Sequence, residues 1–131
     1  MAEMFKLPET EMILVESSNT TVADLPICCQ NYQHDVGVLR NLVDIGYTMH
    51  NYFTKELKGP ILLGLMYDGE TLIWRNDEYR HYINYTEFVG NPQFENREYY
   101  FKLVTERGPD HRKIDIIPED TTGYCLCQKN A

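Results

Sequence analysis

No stretch of this 131-residue chain approaches the run of about 18 apolar residues that a membrane-spanning helix requires. Basic residues are also scarce. Twelve Lys and Arg stand against twenty Asp and Glu, leaving a formal net charge of −8. A polyanion would be repelled by such a chain, which argues against nucleic acid and against an anionic membrane surface as partners. Absent too are the short strings that carry much enzyme chemistry: a phosphate-cradling glycine loop, a nucleophile elbow, and paired histidines at helical spacing. Cysteine is limited to four residues, Cys28-Cys29 and Cys125-x-Cys127. Neither pair has the two-residue spacing that suits zinc chelation, so no metal and no cofactor is expected.

The start Met1-Ala-Glu-Met-Phe-Lys6 lacks the apolar stretch of a signal peptide. That leaves two readings, a cytosolic protein or a chain whose removed signal or anchor lies ahead of Met1. The cysteines bear on the choice. A vicinal Cys28–Cys29 bridge would be strained, and the two remaining connectivities both join the early part of the chain to its end. A bridge closing such a loop would disfavour the unfolded chain by about 4–5 kcal/mol in the entropic model. Reduced buried thiols remain the other option.

What is present is ordinary for one globular domain: 43% hydrophobic and 24% charged residues. A chain of this length buries roughly 65–70% of its unfolded surface. The acids are uneven, with eight against three bases in residues 1–57 and twelve against nine in residues 58–131. Ten of the aromatics are Tyr, a residue common at binding faces.

Glu11-Met-Ile-Leu-Val-Glu16 reads as a strand and Ser17–Thr21 as a turn. Thr21-x-x-Asp24 resembles a capping box and predicts a first helix over about 22–32, with Pro26 able to move its start to Asp24. A second helix follows from the spacing of Leu39, Leu42, Val43, Gly46, Met49, Phe53 and Leu57, with Arg40, Asn41 and Asp44 on the polar side, and Gly59-Pro60 ends it. Ile61–Met66 is a continuous apolar run, as in a central buried strand, and Asp68-Gly69 turns it back into Thr71–Trp74. Residues 75–97 are polar and aromatic without a period and read as a long loop. Tyr99–Val104, Lys113–Ile117 and Tyr124–Cys127 complete a sheet. Strand, two helices, then strands is an α+β order.

In this order, several strings resemble the C-type lectin-like domain. Thr21-Val-Ala-Asp-Leu-Pro-Ile-Cys-Cys29 is similar to that family's first helix, and Leu62-Leu-Gly-Leu65 to its Gly-Leu core strand. Trp74 with Asn76-Asp77, then Tyr85-Thr-Glu-Phe88, and finally Tyr124-Cys-Leu-Cys127-Gln-Lys129 stand where the family has its later motifs. The likeness covers about residues 11–129 and implies two helices packed on a small, mostly antiparallel sheet with a long loop region, in one domain over residues 1–131. It also implies a bridge between Cys29 and Cys127. Cys28 and Cys125 are then extra and could pair with each other. The family's second disulfide has no counterpart here, and Val22 and Leu62 stand in place of two of its tryptophans.

Sugar-binding members hold calcium through an acidic or amide triplet around a proline, a following Glu, and an Asn-Asp pair on a late strand. The corresponding positions here are Asn91-Pro92-Gln93, Glu95 and Ile114-Asp115, a degenerate set for an ion that wants six to eight oxygens. A cis peptide at Pro92 would suit the loop. The resemblance therefore points to the natural-killer-receptor-like or virus-encoded branches, which recognise proteins without calcium. The expected partner is a protein ligand or receptor, met by Tyr79, Tyr82, Tyr85, Phe94 and Arg97, with homodimerisation left open. The expected setting is extracellular or an ectodomain, with no catalytic residues. Two alternatives stay open: calcium-dependent sugar binding on the same fold, and a small cytosolic enzyme or regulator using Cys28 or Cys29. Asn19-Thr-Thr21 and Asn84-Tyr-Thr86 are N-glycosylation acceptors if the chain is secreted.

Overall fold

The computed structural model describes residues 2–7, 10–52, 57, 59–81 and 88–130. Its strands are β1 (Ala2–Leu7), β2 (Thr10–Thr21), β3 (Asp35–Val36), β4 (Ile61–Asp68), β5 (Leu72–Trp74), β6 (Glu98–Leu103), β7 (Ile114–Ile117) and β8 (Thr122–Asn130). Two helices, α1 (Leu25–Gln30) and α2 (Leu42–Tyr52), lie between β2 and β4, with β3 separating them. The strands form one sheet in the order β1-β2-β8-β4-β6-β7, with β3 on β8 and β5 on β4. Among the described strands, β4 and β8 pair in parallel and the other strand pairs are antiparallel.

Successive strand residues point to opposite faces, and this sheet is apolar on both. In β4, Ile61, Leu63 and Leu65 enter one core with Met12, Leu14, Ile45, Met49, Trp74, Phe101 and Leu103. Leu62 enters the other, with Ile13, Val15, Val22, Leu25, Cys29 and Val36. That double burial explains why the Ile61–Met66 run shows no alternation. Gly64 serves packing here, because a Cβ at that position would collide with the Val36 side chain. Gly69, at φ +102°, makes the turn after β4, where Asp68 Oδ1 accepts from the backbone N–H groups of Glu70 and Thr71 at 2.9 and 2.8 Å.

Both pairs of cysteines are bridged, Cys28 to Cys125 and Cys29 to Cys127. The bridges tie α1 to β8 from one face of that strand, as two residues of period-two spacing allow.

The local elements differ from the sequence expectations in several places. The expected turn at Ser17–Thr21 is part of β2, whose register breaks between Val15 and Thr20. The first helix is shorter than 22–32. The Thr21 hydroxyl donates to the Asp24 carboxylate at 3.4 Å instead of capping backbone, and Asp24 itself makes no side-chain cap. With Pro26 in the first turn, the helix begins only at Leu25.

The second helix is rotated from the expected stripe. Leu39 is buried ahead of it, Leu42 and Val43 are 48% and 60% exposed, and Asp44, Ile45, Thr48 and Met49 face inward. The reason is its cap. Asn41 Oδ1 accepts from Asp44 N at 3.0 Å, while the Asp44 carboxylate accepts from Arg40 N at 2.8 Å and Arg40 Nε at 2.9 Å. Anchoring that carboxylate inside turns Leu42 and Val43 out. Phe53 lies outside the described residues. The expected cis peptide at Pro92 is not found, the described peptides all being trans. Strand β1, which the sequence reading did not anticipate, pairs with β2 from Ala2↔Val15 to Leu7↔Thr10.

Candidate functional site

The long loop leaves β5 after Trp74 and returns at β6. Its first segment is a single 3-10 turn, Asp77–Tyr79, capped by Asn76, whose side-chain oxygen accepts from Glu78 N at 3.0 Å. The amide nitrogen of the same side chain donates to Val36 O at 2.8 Å, so Asn76 is buried and pins the loop to β3. Arg75 reaches the other way, its guanidinium donating to the carbonyls of Val22 and Ala23, and burial pulls its pKa below the usual guanidinium value. Between these anchors and α1 lies a cleft of about 410 Å³, with Gln30, His34, Asp35, Arg75, Asp77 and Glu78 among its walls. The sequence reading missed Arg75 and this cleft. The only local signal was the Asn-Asp-Glu string, whose first residue is a good cap.

The loop's last segment, residues 88–97, starts against β7 and continues over β4 and β6. Phe88 bridges Ile114 in parallel, and Val89 N donates to Ile114 O at 2.9 Å. Phe94 stacks on Tyr67 with centroids 4.7 Å apart and meets Tyr99 edge-on at 5.1 Å. It also packs near Phe88 and Phe101 at 5.9 and 6.0 Å. Five rings thus fasten this segment to the sheet. Offset and edge-to-face pairs of this kind add about 0.5–1.5 kcal/mol each beyond area burial.

Of the residues expected at the contact face, Tyr79 is half-buried against the core. Phe94 is half-buried in the ring cluster, and Arg97 is exposed with its guanidinium 4.0 Å over the Tyr99 ring. Tyr82 and Tyr85 lie outside the described residues. At the calcium-type positions, Asn91, Gln93 and Glu95 are exposed. The Phe88–Ile114 bridge brings their loop beside Asp115, which pairs with Lys102 across β6 and β7 and whose Oδ1 accepts from Ile116 N at 2.9 Å. These four positions offer two carboxylates, one of them engaged by its own strand, and two amides. Among the described residues, no three or more His, Cys, Asp or Glu side chains come together in a way that could hold a metal ion. Nearby, Tyr100 donates to Glu98 Oε2 at 2.6 Å, and that carboxylate pushes the phenol up to about 12.

No family model matches the chain and no curated protein matches its sequence. Solved structures do match it. The C-type lectin CEL-I from Cucumaria echinata superposes with a TM-score of 0.74 at 14% identity, covering 95% of this chain and 93% of that one. Human lithostathine does so at 0.75 and 14%, over 98% and 88%. The C-type lectin domain of murine dendritic cell inhibitory receptor 2, solved in complex with N-glycan, gives 0.72 and 12% over 98% and 96%. The fold is C-type lectin-like. The two helices and the mixed sheet are present although so few residues are shared.

Proposed function

We propose that this C-type lectin-like chain is a non-enzymatic binding module that recognises a protein partner without calcium. The observation that carries the reading is the composition of the loop face. Where the fold carries its calcium and sugar ligands, this chain offers Asn91, Gln93, Glu95 and Asp115 rather than a convergent acidic set. Close by it presents Arg97, held over Tyr99. Arginine and aromatic anchors are what protein interfaces draw affinity from. Tyr79 and Phe94 are assigned to the same proposed face, Phe94 chiefly by fixing the loop's shape. Loops on a rigid scaffold are the usual seat of recognition.

The extracellular assignment rests on the two bridges, since structural disulfides persist in oxidising compartments. Among the described residues no helix is long and apolar enough to cross a membrane. Cys28 and Cys29, the residues on which the cysteine-enzyme alternative turned, both sit in disulfides.

The reading is tested on a panel of immobilised mono- and oligosaccharides, run in millimolar calcium and again in chelator, alongside surface proteins captured from cells by a multivalent form of the chain. Capture of a protein unaffected by chelator and weakened by Arg97→Ala supports it. Sugar retention that disappears with chelator overturns it.

A further inference from the structure

Asn19-Thr20-Thr21 carries the acceptor pattern for N-linked glycosylation, with no proline at the middle position. The structure adds what the triplet alone does not say. β2 is paired with β1 only over Thr10–Val15, and its register with β8 is broken between Val15 and Thr20. Asn19 sits in that interruption, appears in neither described ladder, and its side chain is exposed. A residue there can carry a bulky hydrophilic group without breaking strand pairing or entering either core. By contrast the buried Asn76, with its amide spent on Val36 O and Glu78 N, could carry nothing of the kind.

We propose that Asn19 is the attachment site of an N-linked glycan. The inference rests on the extracellular reading above, because the transfer takes place in the compartment where the two disulfides form. The side-chain Nδ2 of Asn19 attacks the anomeric carbon of a lipid-pyrophosphate-linked oligosaccharide. A C–N bond forms, the C–O bond to pyrophosphate breaks, one amide proton is lost, and the lipid pyrophosphate leaves. No oxidant or reductant is required. The hydroxyl two residues on, at Thr21, completes acceptor recognition in the nascent chain. After folding it turns to the Asp24 carboxylate at 3.4 Å.

The test expresses the full chain behind a cleavable secretory leader in a eukaryotic cell and maps both secreted and retained material. Amidase release of glycans in heavy-oxygen water should convert Asn19 to a labelled Asp. Asn19→Gln and Thr21→Ala should each lose one glycan's worth of gel mobility shift, and Thr21→Ser should keep it. An unlabelled Asn19 overturns the proposal, including the outcome in which only Asn84 is labelled. Disulfide mapping of the same material separates the two claims. Intact bridges with a bare Asn19 defeat the glycan alone, whereas four free thiols defeat the extracellular reading as well.

Discussion

Arg97 and Tyr99 hold the end of the long loop between them. The guanidinium lies 4.0 Å over the ring, the phenol oxygen accepts from Glu95 N at 3.0 Å, and Arg97 Nε is 3.8 Å from Glu95 Oε2. These contacts favour one placement of the Arg97 side chain, and an anchor restricted in advance loses less entropy on binding.

Two substitutions in this loop should separate. Arg97→Ala removes an exposed cation–π contact, worth about 0.5–1 kcal/mol of stability, while weakening partner binding by about 1–3 kcal/mol. Phe94→Ala opens the ring cluster and should cost about 2–3 kcal/mol of stability. Denaturant melts and titration against the captured partner give both numbers. Equal effects of the two variants on stability would mean that the ring cluster does not hold the loop.

The two disulfides should be strongly non-additive. Cys28–Cys125 and Cys29–Cys127 span 97 and 98 residues, so each alone removes about 4–5 kcal/mol of unfolded-state entropy. Once either is formed, the other closes only a few residues more. Replacing one pair by Ala should therefore cost little beyond lost packing, and replacing both should cost the full loop term. Urea melts of the two double variants and the quadruple variant would show it, and simple additivity would refute the shared-loop account.

Millimolar calcium should leave the melting temperature unchanged. A ligand that binds the folded chain and not the unfolded one must raise it. Scanning calorimetry in calcium and in chelator checks this, and a calcium-dependent rise would show that Asn91, Gln93, Glu95 and Asp115 coordinate after all.

Glu11 should shape the acid limb of stability. Its carboxyl lies below the ordinary value of 4.5, chiefly through the hydrogen bond from Lys129, with His34 adding to it. Lys129 Nζ and His34 Nε2 stand 3.2 and 3.3 Å from Glu11 Oε2. Because the folded state holds this group's pKa down, its contribution is present above the unfolded value and is lost as pH falls through the folded one. Glu11→Gln should lower stability at neutral pH and flatten the profile below about pH 5, so that urea melts of variant and parent converge in acid; an unchanged acid slope would refute the account.

What the sequence determined on its own was the set of local elements that have a strong period or sharp stops. The Ile61–Met66 run, the Asp68-Gly69 turn and the α+β order needed only hydrophobic patterning and turn chemistry, and the strings around Cys29, Gly64 and Cys127 were enough to suggest the fold. The tertiary structure decided the rest, where two local signals competed or where the partner was distant in sequence. Leu42 and Val43 fit a helical stripe, yet burying Asp44 against Arg40 satisfies a charge that could not otherwise go inside, and this turns them out. Thr21-x-x-Asp24 reads as a cap, and Asn41-x-x-Asp44, which the sequence reading put on a polar helix face, has the same spacing. Only the second finds backbone N–H groups to satisfy, because Pro26 delays the first helix. The grip of Arg75 on Val22 and Ala23 and the stacking of Phe94 on Tyr67 join residues tens of positions apart, which no local pattern encodes.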